Sequence, residues 1–467
     1  MLTLIIFLNI YFVSFIDKPE KTAPQLSERA WKQRQQWNIP TDQMDYPVSP
    51  TYQGELTKMG VKILHKSRWF NGVTCEMSDE LAHKVYQLKF VTDVELTRSD
   101  DPPIDKPAPK YLPKAEGEGN VTDAQLQTYN LLKMHEAGFK GQGILMAICD
   151  GGFSGVDTMS CFRHKELELG HFDFTDDPED FYGTTGNHGT ACLSTITGID
   201  AEQHFYGAAT QAKYYLMRTE EYHTESPKEM DNLVAALEKA DSLGVNIVSI
   251  SLGYYYFNDF DTLPKEALDG RTIRASRAAT IAARKGMLVC AAAGNEGNKN
   301  WQTICVPADA DSILTVGAVG TDSIIGAFSS YGPSADWRIK PDVCAVGKGA
   351  TVIKANGIAQ TGNGTSYATP LLAGLAASLW SAMPKENAMQ IRQRILRSAD
   401  RYYTPDKQRY GYGIPDAWKA YTMKLDDESS YNGIAIEQES VQKIIRGDQI
   451  LIIRHGHIYN LTGQIVR

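Results

Sequence analysis

The sequence predicts an α/β fold: a doubly wound, mostly parallel sheet with helices on both faces, preceded by a small α+β region and followed by a short β tail. Three observations predict it. From Ala124 onward, short all-apolar runs alternate with stretches of helical periodicity, the pattern of a parallel sheet joined by right-handed crossovers. Asp150, Ser251 and Asn295 stand at or just beyond the ends of such runs, where open α/β sheets place their ligands. After Pro370, the run Leu371-Leu372-Ala373-Gly374-Leu375-Ala376-Ala377-Ser378-Leu379-Trp380 offers almost no polar face, so it predicts a core helix buried on all sides.

At 467 residues the chain is too long for one ordinary domain and suits one large domain with appendages. The formal net charge is −9 and no Lys/Arg cluster occurs, which argues against a nucleic-acid partner, because a polyphosphate binder requires a basic face. The seven cysteines (Cys75, Cys149, Cys161, Cys192, Cys290, Cys305, Cys344) contain no Cys-x-x-Cys pair, so zinc-site spacing is absent. An odd number cannot all pair. Cys149 and Cys290 fall in predicted core strands, where a thiol serves as a small hydrophobe, while a Cys290–Cys305 bridge stays open.

In chain order, residues 1–17 come first. The apolar run from Leu2 to Ile16 is short for a membrane span and reads as the core of a secretory signal, which implies export to the medium or the cell surface. No Lys or Arg precedes it and no Ala-x-Ala-like site follows, so a buried N-terminal strand or a retained anchor is the alternative. No later stretch is long and apolar enough to span a bilayer. Within residues 18–98, the part from Ser49 to Arg98 reads as a small mixed domain. Val61 to Ser67 alternates like a half-buried strand, Asp79 to Leu88 has helical spacing, and Phe90 to Leu96 closes with another strand. Residues 99–120 change character, with Asp100-Asp101-Pro102-Pro103, three further prolines and Glu116-Gly117-Glu118-Gly119, the composition of an exposed, extended linker.

Residues 121–425 carry the alternation. Strands are expected at Ile144–Asp150, Lys213–Arg218, Val245–Leu252, Met287–Ala293 and Ile313–Val319. Helices are expected from His188, over about Lys228–Leu243 and Thr272–Lys285, and from Ser366 to Trp380. In the tail, residues 426–467, strand-like runs at Gln449–Ile453 and His457–Leu461 flank Gly456 and predict a hairpin-like end; His455 and His457 read as turn residues.

Three boxes carry the chemistry. Ser366 enters the apolar helix through Gly362-Asn363-Gly364-Thr365, where orphan N–H groups and the helix dipole favour developing negative charge. Taken alone, it is an N-cap serine. A serine nucleophile needs a base, and the base needs an orienting carboxylate. His188-Gly189-Thr190 and Asp150-Gly151-Gly152 supply candidates. In the order Asp, His, Ser, these boxes resemble the signatures of subtilisin-like serine peptidases (subtilases). Ala291-Ala292-Ala293-Gly294-Asn295-Glu296-Gly297 resembles the family's oxyanion segment, and Ser249-Ile250-Ser251-Leu252-Gly253 its substrate strand. The resemblance covers about Val121 to Lys424. It implies a secreted endopeptidase acting on protein or peptide substrates, with catalytic Asp150, His188, Ser366 and Asn295, and with Ser251, Leu252 and Gly253 binding substrate. Residues 18–98 then resemble an inhibitory propeptide cut away in the linker, and the tail resembles a shortened sorting module of exported proteins, a strand pair docked on the catalytic domain being the alternative. No cofactor is required.

Tyr367, Leu371 and Ala191 stand where the family commonly has Met, His and His, which puts pocket shape in doubt and leaves the reactive groups in place. Tyr254-Tyr255-Tyr256-Phe257 reads either as aromatic subsite walls or as a loop packed on its own domain. Subtilases often bind calcium, but Asp176-Asp177-Pro178-Glu179-Asp180 lacks the alternating ligand spacing of a loop site and reads as a solvated loop. An inactive subtilase-fold binding or scaffold protein is the competing function; the presence of every reactive group argues against it. An α/β-hydrolase esterase is excluded because Ala368 stands where Gly-x-Ser-x-Gly needs glycine.

Overall fold

The computed structural model describes residues 8–20, 22–99, 121–176, 180–183, 186–221, 224–258 and 260–425, and beyond these the backbone of three strands between 442 and 459. The chain forms two compact units, Met1–Thr422 and Met423–Arg467.

The first unit begins with β1 (Asn9–Phe15), α1 (Glu28–Gln36), α2 (Pro50–Lys58), β2 (Lys62–Ser67), β3 (Gly72–Met77), α3 (Asp79–Tyr86) and β4 (Val91–Arg98). Its antiparallel sheet has the order β2-β3-β1-β4. The segment expected to be a signal core is therefore an interior strand over Asn9–Phe15, paired with β3 from Asn9↔Met77 to Ser14↔Gly72 and with β4 on its other side. Tyr11, Val13 and Phe15 pack with Leu56 and Val85 in the small core, while Phe12 lies under the guanidinium of Arg274 on the opposite face. A strand covered on both faces is apolar at nearly every position, and so is a signal core. The sequence pattern cannot separate them.

Between β1 and α2 the chain leaves this sheet. Ser27 caps α1 by accepting a hydrogen bond from the Ala30 amide at 3.1 Å. Arg34, 3% exposed, pairs with Asp45 at 2.7 Å and with Asp241 at 2.8 Å. Arg68 gives Asp241 a second cation at 2.5 Å, and Lys285 meets Asp45 at 2.8 Å. Removing one partner from such a buried network costs about 3–5 kcal/mol, because a desolvated charge is left behind.

The large sheet follows α4 (Asp123–Gln127) and α5 (Leu131–Glu136). In chain order the elements are β5 (Leu145–Asp150), β6 (Glu168–Asp173), α6 (His188–Thr197), a small hairpin of β7 (Ile199–Asp200) and β8 (Phe205–Tyr206), β9 (Lys213–Arg218) and α7 (Lys228–Leu243). Then come β10 (Ile247–Ile250), α8 (Arg274–Arg284), β11 (Leu288–Ala292), β12 (Leu314–Val319), β13 (Val343–Val346), the hairpin β14 (Lys348–Ile353) and β15 (Ala359–Asn363), α9 (Thr365–Ala382), α10 (Ala388–Ser398) and α11 (Ala417–Thr422). Seven strands, all parallel, lie in the order β13-β12-β11-β10-β5-β9-β6. Because side chains alternate along a strand, Met146 and Ile148 of β5 face the core shared with α6 and α9, while Leu145, Ala147 and Cys149 face that of α7 and α8. Helix α9 is buried from Thr365 through Trp380, as its apolar sequence predicts. All seven cysteines are free and buried, so no bridge joins Cys290 to Cys305.

The small sheet docks on α7 and α8. Glu238 accepts hydrogen bonds from the Ser67 hydroxyl at 2.6 Å and from the Arg68 and Trp69 amides, and Arg274 joins Glu95 to Asp231. His65 Nε2 donates to the Phe174 carbonyl at 2.9 Å and to Asn232 Oδ1 at 3.0 Å; two oxygen acceptors place the proton on that nitrogen. Burial and then the charge of Lys228 hold the His65 pKa below its ordinary 6.5, with Asp231 pulling the other way. A pKa lowered by docking makes the contact complete above the ordinary value and weakens it as pH falls from there toward the docked value. Acidification of the full-length chain below about pH 6 is therefore expected to lower its thermal midpoint, and His65→Gln to flatten that decline. An equally steep decline in His65→Gln would remove His65 as its source.

Asp176 is held by Lys228 at 2.9 Å and by Arg98 at 3.6 Å, so it is committed to protein cations; residues 177–179 lie outside the described residues, as does most of the 99–120 linker. In the second unit, β16 (Gln442–Arg446), β17 (Gln449–Arg454) and β18 (His457–Tyr459) form a three-stranded antiparallel sheet. The tail thus has one strand more than the expected hairpin, and His457 starts a strand instead of lying in a turn.

Candidate active site

Adjacent strands β11, β10 and β5 deliver Asn295, the Ser251–Gly253 segment and Asp150 to the same carboxyl end of the sheet. Asp150 is the last residue of β5 and fully buried. Its Oδ1 accepts the Gly151 amide at 2.8 Å and lies 2.7 Å from His188 Nδ1, so Nδ1 carries the proton and Nε2 is left as the basic nitrogen. His188 opens α6, and the next residue must be small: a Cβ on Gly189 would come within 2.5 Å of the Gly152 carbonyl and 2.9 Å of Asp150 Cβ. The helix start is thereby pressed against the strand end. Burial opposes a charged imidazole here, but the Asp150 charge and hydrogen bond outweigh it and raise the His188 pKa well above its usual value.

Ser366 is the second residue of α9 and 7% exposed. A Cβ on Gly364 would sit 2.7 Å from Ser366 Oγ, so this glycine keeps room for the hydroxyl. Pro370 stands inside the helix and has no N–H to give to the carbonyl four residues earlier. That carbonyl belongs to Ser366, and the Cys192 thiol donates to it at 3.2 Å while its sulfur lies 3.8 Å from His188 Nδ1. One turn of α6 therefore ties the histidine to the serine's backbone. Burial raises the Cys192 pKa to about 11, which keeps it a neutral donor. Asp150, His188 and Cys192 lie within 4.8 Å of one another, the sole grouping among the described residues with metal-ligand proximity; its Asp–His contact is already a hydrogen bond.

Asn295 follows β11 after the turn at Gly294 (φ +110°). Its Oδ1 accepts the Thr365 amide at 2.8 Å and the Thr365 hydroxyl at 3.0 Å, and that hydroxyl accepts the Gly294 amide at 3.2 Å. With the oxygen held by two donors, the amide nitrogen is the end of Asn295 directed elsewhere. Beyond β10, Ser251 is buried, Leu252 half-buried and Gly253 exposed. All seven sequence-predicted site residues are thus at the carboxyl end of the sheet.

Thr365 and Cys192 are additions that the motifs do not single out. Pro370 was the available signal for Cys192, since it implies an unpaired carbonyl at Ser366. The three departures prove to be packing positions: Ala191 and Leu371 are in the core, and the Tyr367 ring stacks 6.0 Å from His188. Tyr254 and Phe257 are core residues and Tyr255 stacks on Trp301, which leaves Tyr256 alone exposed. The aromatic run is chiefly a loop packed on its own domain.

Comparison with known proteins identifies the family of this fold. The subtilase family model (Peptidase S8) matches residues 141–413, and a Peptidase S8 propeptide domain of Bacteroidota matches residues 10–110. The chain is 29% identical to subtilisin DY of Bacillus licheniformis over 60% of its own length and 92% of that protein. It is 28% identical to subtilisin NAT of Bacillus subtilis subsp. natto, over 60% of this chain and 66% of that relative, just under two thirds. Among solved structures, MycP1 from the ESX-1 type VII secretion system shares the fold with a TM-score of 0.54 at 20% identity, covering 70% of this chain and 97% of that one. With more than half of its residues matched by the family model, the chain belongs to the subtilase family of serine peptidases.

Proposed function

We propose that the protein is a secreted serine endopeptidase in which Ser366 attacks the peptide carbonyl, His188 takes and returns the proton, and Asp150 holds His188 in the required tautomer and stabilises its charge. The observation that carries this reading is the 2.7 Å Asp150–His188 contact at the start of α6, linked through Cys192 to Ser366 at the start of α9. Asn295 Nδ2 and the Ser366 amide supply hydrogen bonds to the oxyanion. The extended Ser251–Gly253 segment pairs with the substrate backbone as an added strand. Proton transfer and oxyanion stabilisation are complete with these side chains, so the reaction needs no metal or cofactor. Residues 9–98 act as the inhibitor of the domain that follows, and a precursor of this design suits an enzyme that stays silent until exported. Casein hydrolysis together with fluorophosphonate labelling of the processed chain tests the reading; a folded, processed chain that does neither supports the inactive binding protein instead.

The base must be neutral to accept a proton. Because its pKa is raised, kcat/KM is expected to climb with pH through a midpoint above histidine's ordinary 6.5. Asp150→Asn removes the charge that raises it and is expected to lower that midpoint along with the rate. A parent midpoint below the ordinary value would contradict the assignment of His188 as the base.

A further inference from the structure

The pairing of β10 with β11 ends at Ile250↔Ala291. Beyond it a third segment enters between the two chains: the Cys305 amide donates to the Ala293 carbonyl at 3.0 Å, and Val306 and Tyr254 exchange amide-to-carbonyl hydrogen bonds of 2.9 Å in both directions. Cys305 thus stands between the Ser251–Gly253 segment and the turn at Gly294. Its side chain spans the gap. A Cβ on Gly253 would come within 2.9 Å of Cys305 Cβ, and a Cβ on Gly294 within 2.6 Å of its sulfur, so the thiol fits only because both flanks are glycine.

In the proposed mechanism the peptide backbone lies along Ser251–Gly253 while its reacting carbonyl lies between Ser366 and Asn295. The residue that contributes this carbonyl is then held over the same gap, and its side chain enters there. Cys305 is 2% exposed, so little open depth remains above the sulfur. Burial pushes the Cys305 thiol up, which keeps it neutral and makes it a small apolar floor. Glu296, at the same turn, offers no free carboxylate to a cationic side chain: it accepts the Tyr255 hydroxyl at 2.8 Å and pairs with Lys299 at 3.1 Å. The floor is also fixed from behind. The Ile304 amide donates to the Tyr331 carbonyl at 2.9 Å, and Trp301 Nε1 donates to the Ile304 carbonyl at 3.2 Å.

We propose that Cys305 is a specificity-determining residue: it floors the pocket for the side chain on the acyl side of the scissile bond and limits that side chain to a small uncharged one, such as that of alanine. The proposal rests on the peptidase reading and on Ser251–Gly253 as the segment that pairs with substrate. An apolar pocket discriminates by about 10–200-fold for each methylene that it does or does not accommodate. A side chain too large for a rigid floor holds the carbonyl away from Ser366, so the discrimination falls on kcat/KM.

The test compares peptide substrates that differ only at that residue, which is alanine, phenylalanine or lysine, using the processed chain counted by fluorophosphonate titration. Alanine is expected to give a kcat/KM at least about tenfold above phenylalanine and lysine. The phenylalanine-to-alanine ratio is expected to rise by about 10²-fold in Cys305→Gly, and by about tenfold in Cys305→Ala, which removes only the sulfur. A merely structural role would lower both substrates together and leave the ratio unmoved. Cleavage after phenylalanine or lysine as fast as after alanine in the parent would overturn the proposal. So would a ratio in Cys305→Ala within about threefold of the parent, short of what one methylene commands; this variant decides alone if Cys305→Gly fails to fold. A parent that neither takes up the probe nor cleaves any of the peptides overturns the peptidase reading and this proposal with it, whereas a labelled, active parent without the preference overturns this proposal only.

Discussion

Ser366→Ala is expected to yield a folded precursor that no fluorophosphonate labels, that stays uncut in its linker if processing is autocatalytic, and whose peptide hydrolysis falls on the order of 10⁶-fold. The direction of the effect follows from the arrangement. In the proposed mechanism His188 takes its proton from a hydroxyl presented at the start of α9, and in the variant water must replace the nucleophile without that positioning. The fold is expected to survive, because the contacts that place this helix turn use other atoms of the segment: Thr365 meets Asn295, and the Ser366 carbonyl accepts the Cys192 thiol. Stoichiometric labelling of the variant would show that the nucleophile lies elsewhere. Normal linker cutting of the variant in a protease-deficient host would show that maturation is carried out by another enzyme.

Asn295→Leu is expected to lower kcat by roughly 10²–10³ with KM little changed, since an oxyanion donor acts mainly when charge develops. The structure adds a complication that a motif cannot reveal. Asn295 Oδ1 is also the acceptor for the amide and hydroxyl of Thr365, so leucine strands two donors and costs about 1–3 kcal/mol of stability as well. Asn295→Asp separates the two effects, because it keeps an acceptor for Thr365 and removes the proposed oxyanion donor. Active-site titration before each rate measurement restricts the comparison to folded enzyme. If Asn295→Asp turns over within about threefold of the parent per titrated site, far short of the loss expected for an oxyanion donor, Asn295 serves the turn and not the reaction.

Between β5 and α9, the elements β5, α6, β9, α7, β10, α8, β11, β12 and α9 were legible in the chain in that order because each is coded locally, whereas the edge strand β6 and the β7–β8 hairpin were not. Leu145–Cys149 is apolar at every position, as a strand buried on both faces must be. Lys228–Leu243 and α9 appear where the apolar spacing places them. Asp150, His188, Asn295 and Ser366 sit at element termini, so their convergence follows from a parallel sheet alone. Several features had no local code. Strand β1 looks like a signal core because its two covers, the small core and Arg274, lie outside its own sequence. Strand β13 and the β14–β15 hairpin were not foreseen; β13 is four residues long, too short for periodicity to distinguish. The role of Cys192 depends on a carbonyl 174 residues away in the chain. Arg34 reads as one more surface cation on a polar helix, and only its contact with Asp241, 207 residues away, turns it into a buried anchor. Local pattern thus determined which elements form and which reactive groups stand at their ends. Tertiary structure alone decided the partners of buried charges, thiols and amides, because hydrogen-bond satisfaction is settled between segments and leaves no trace within one.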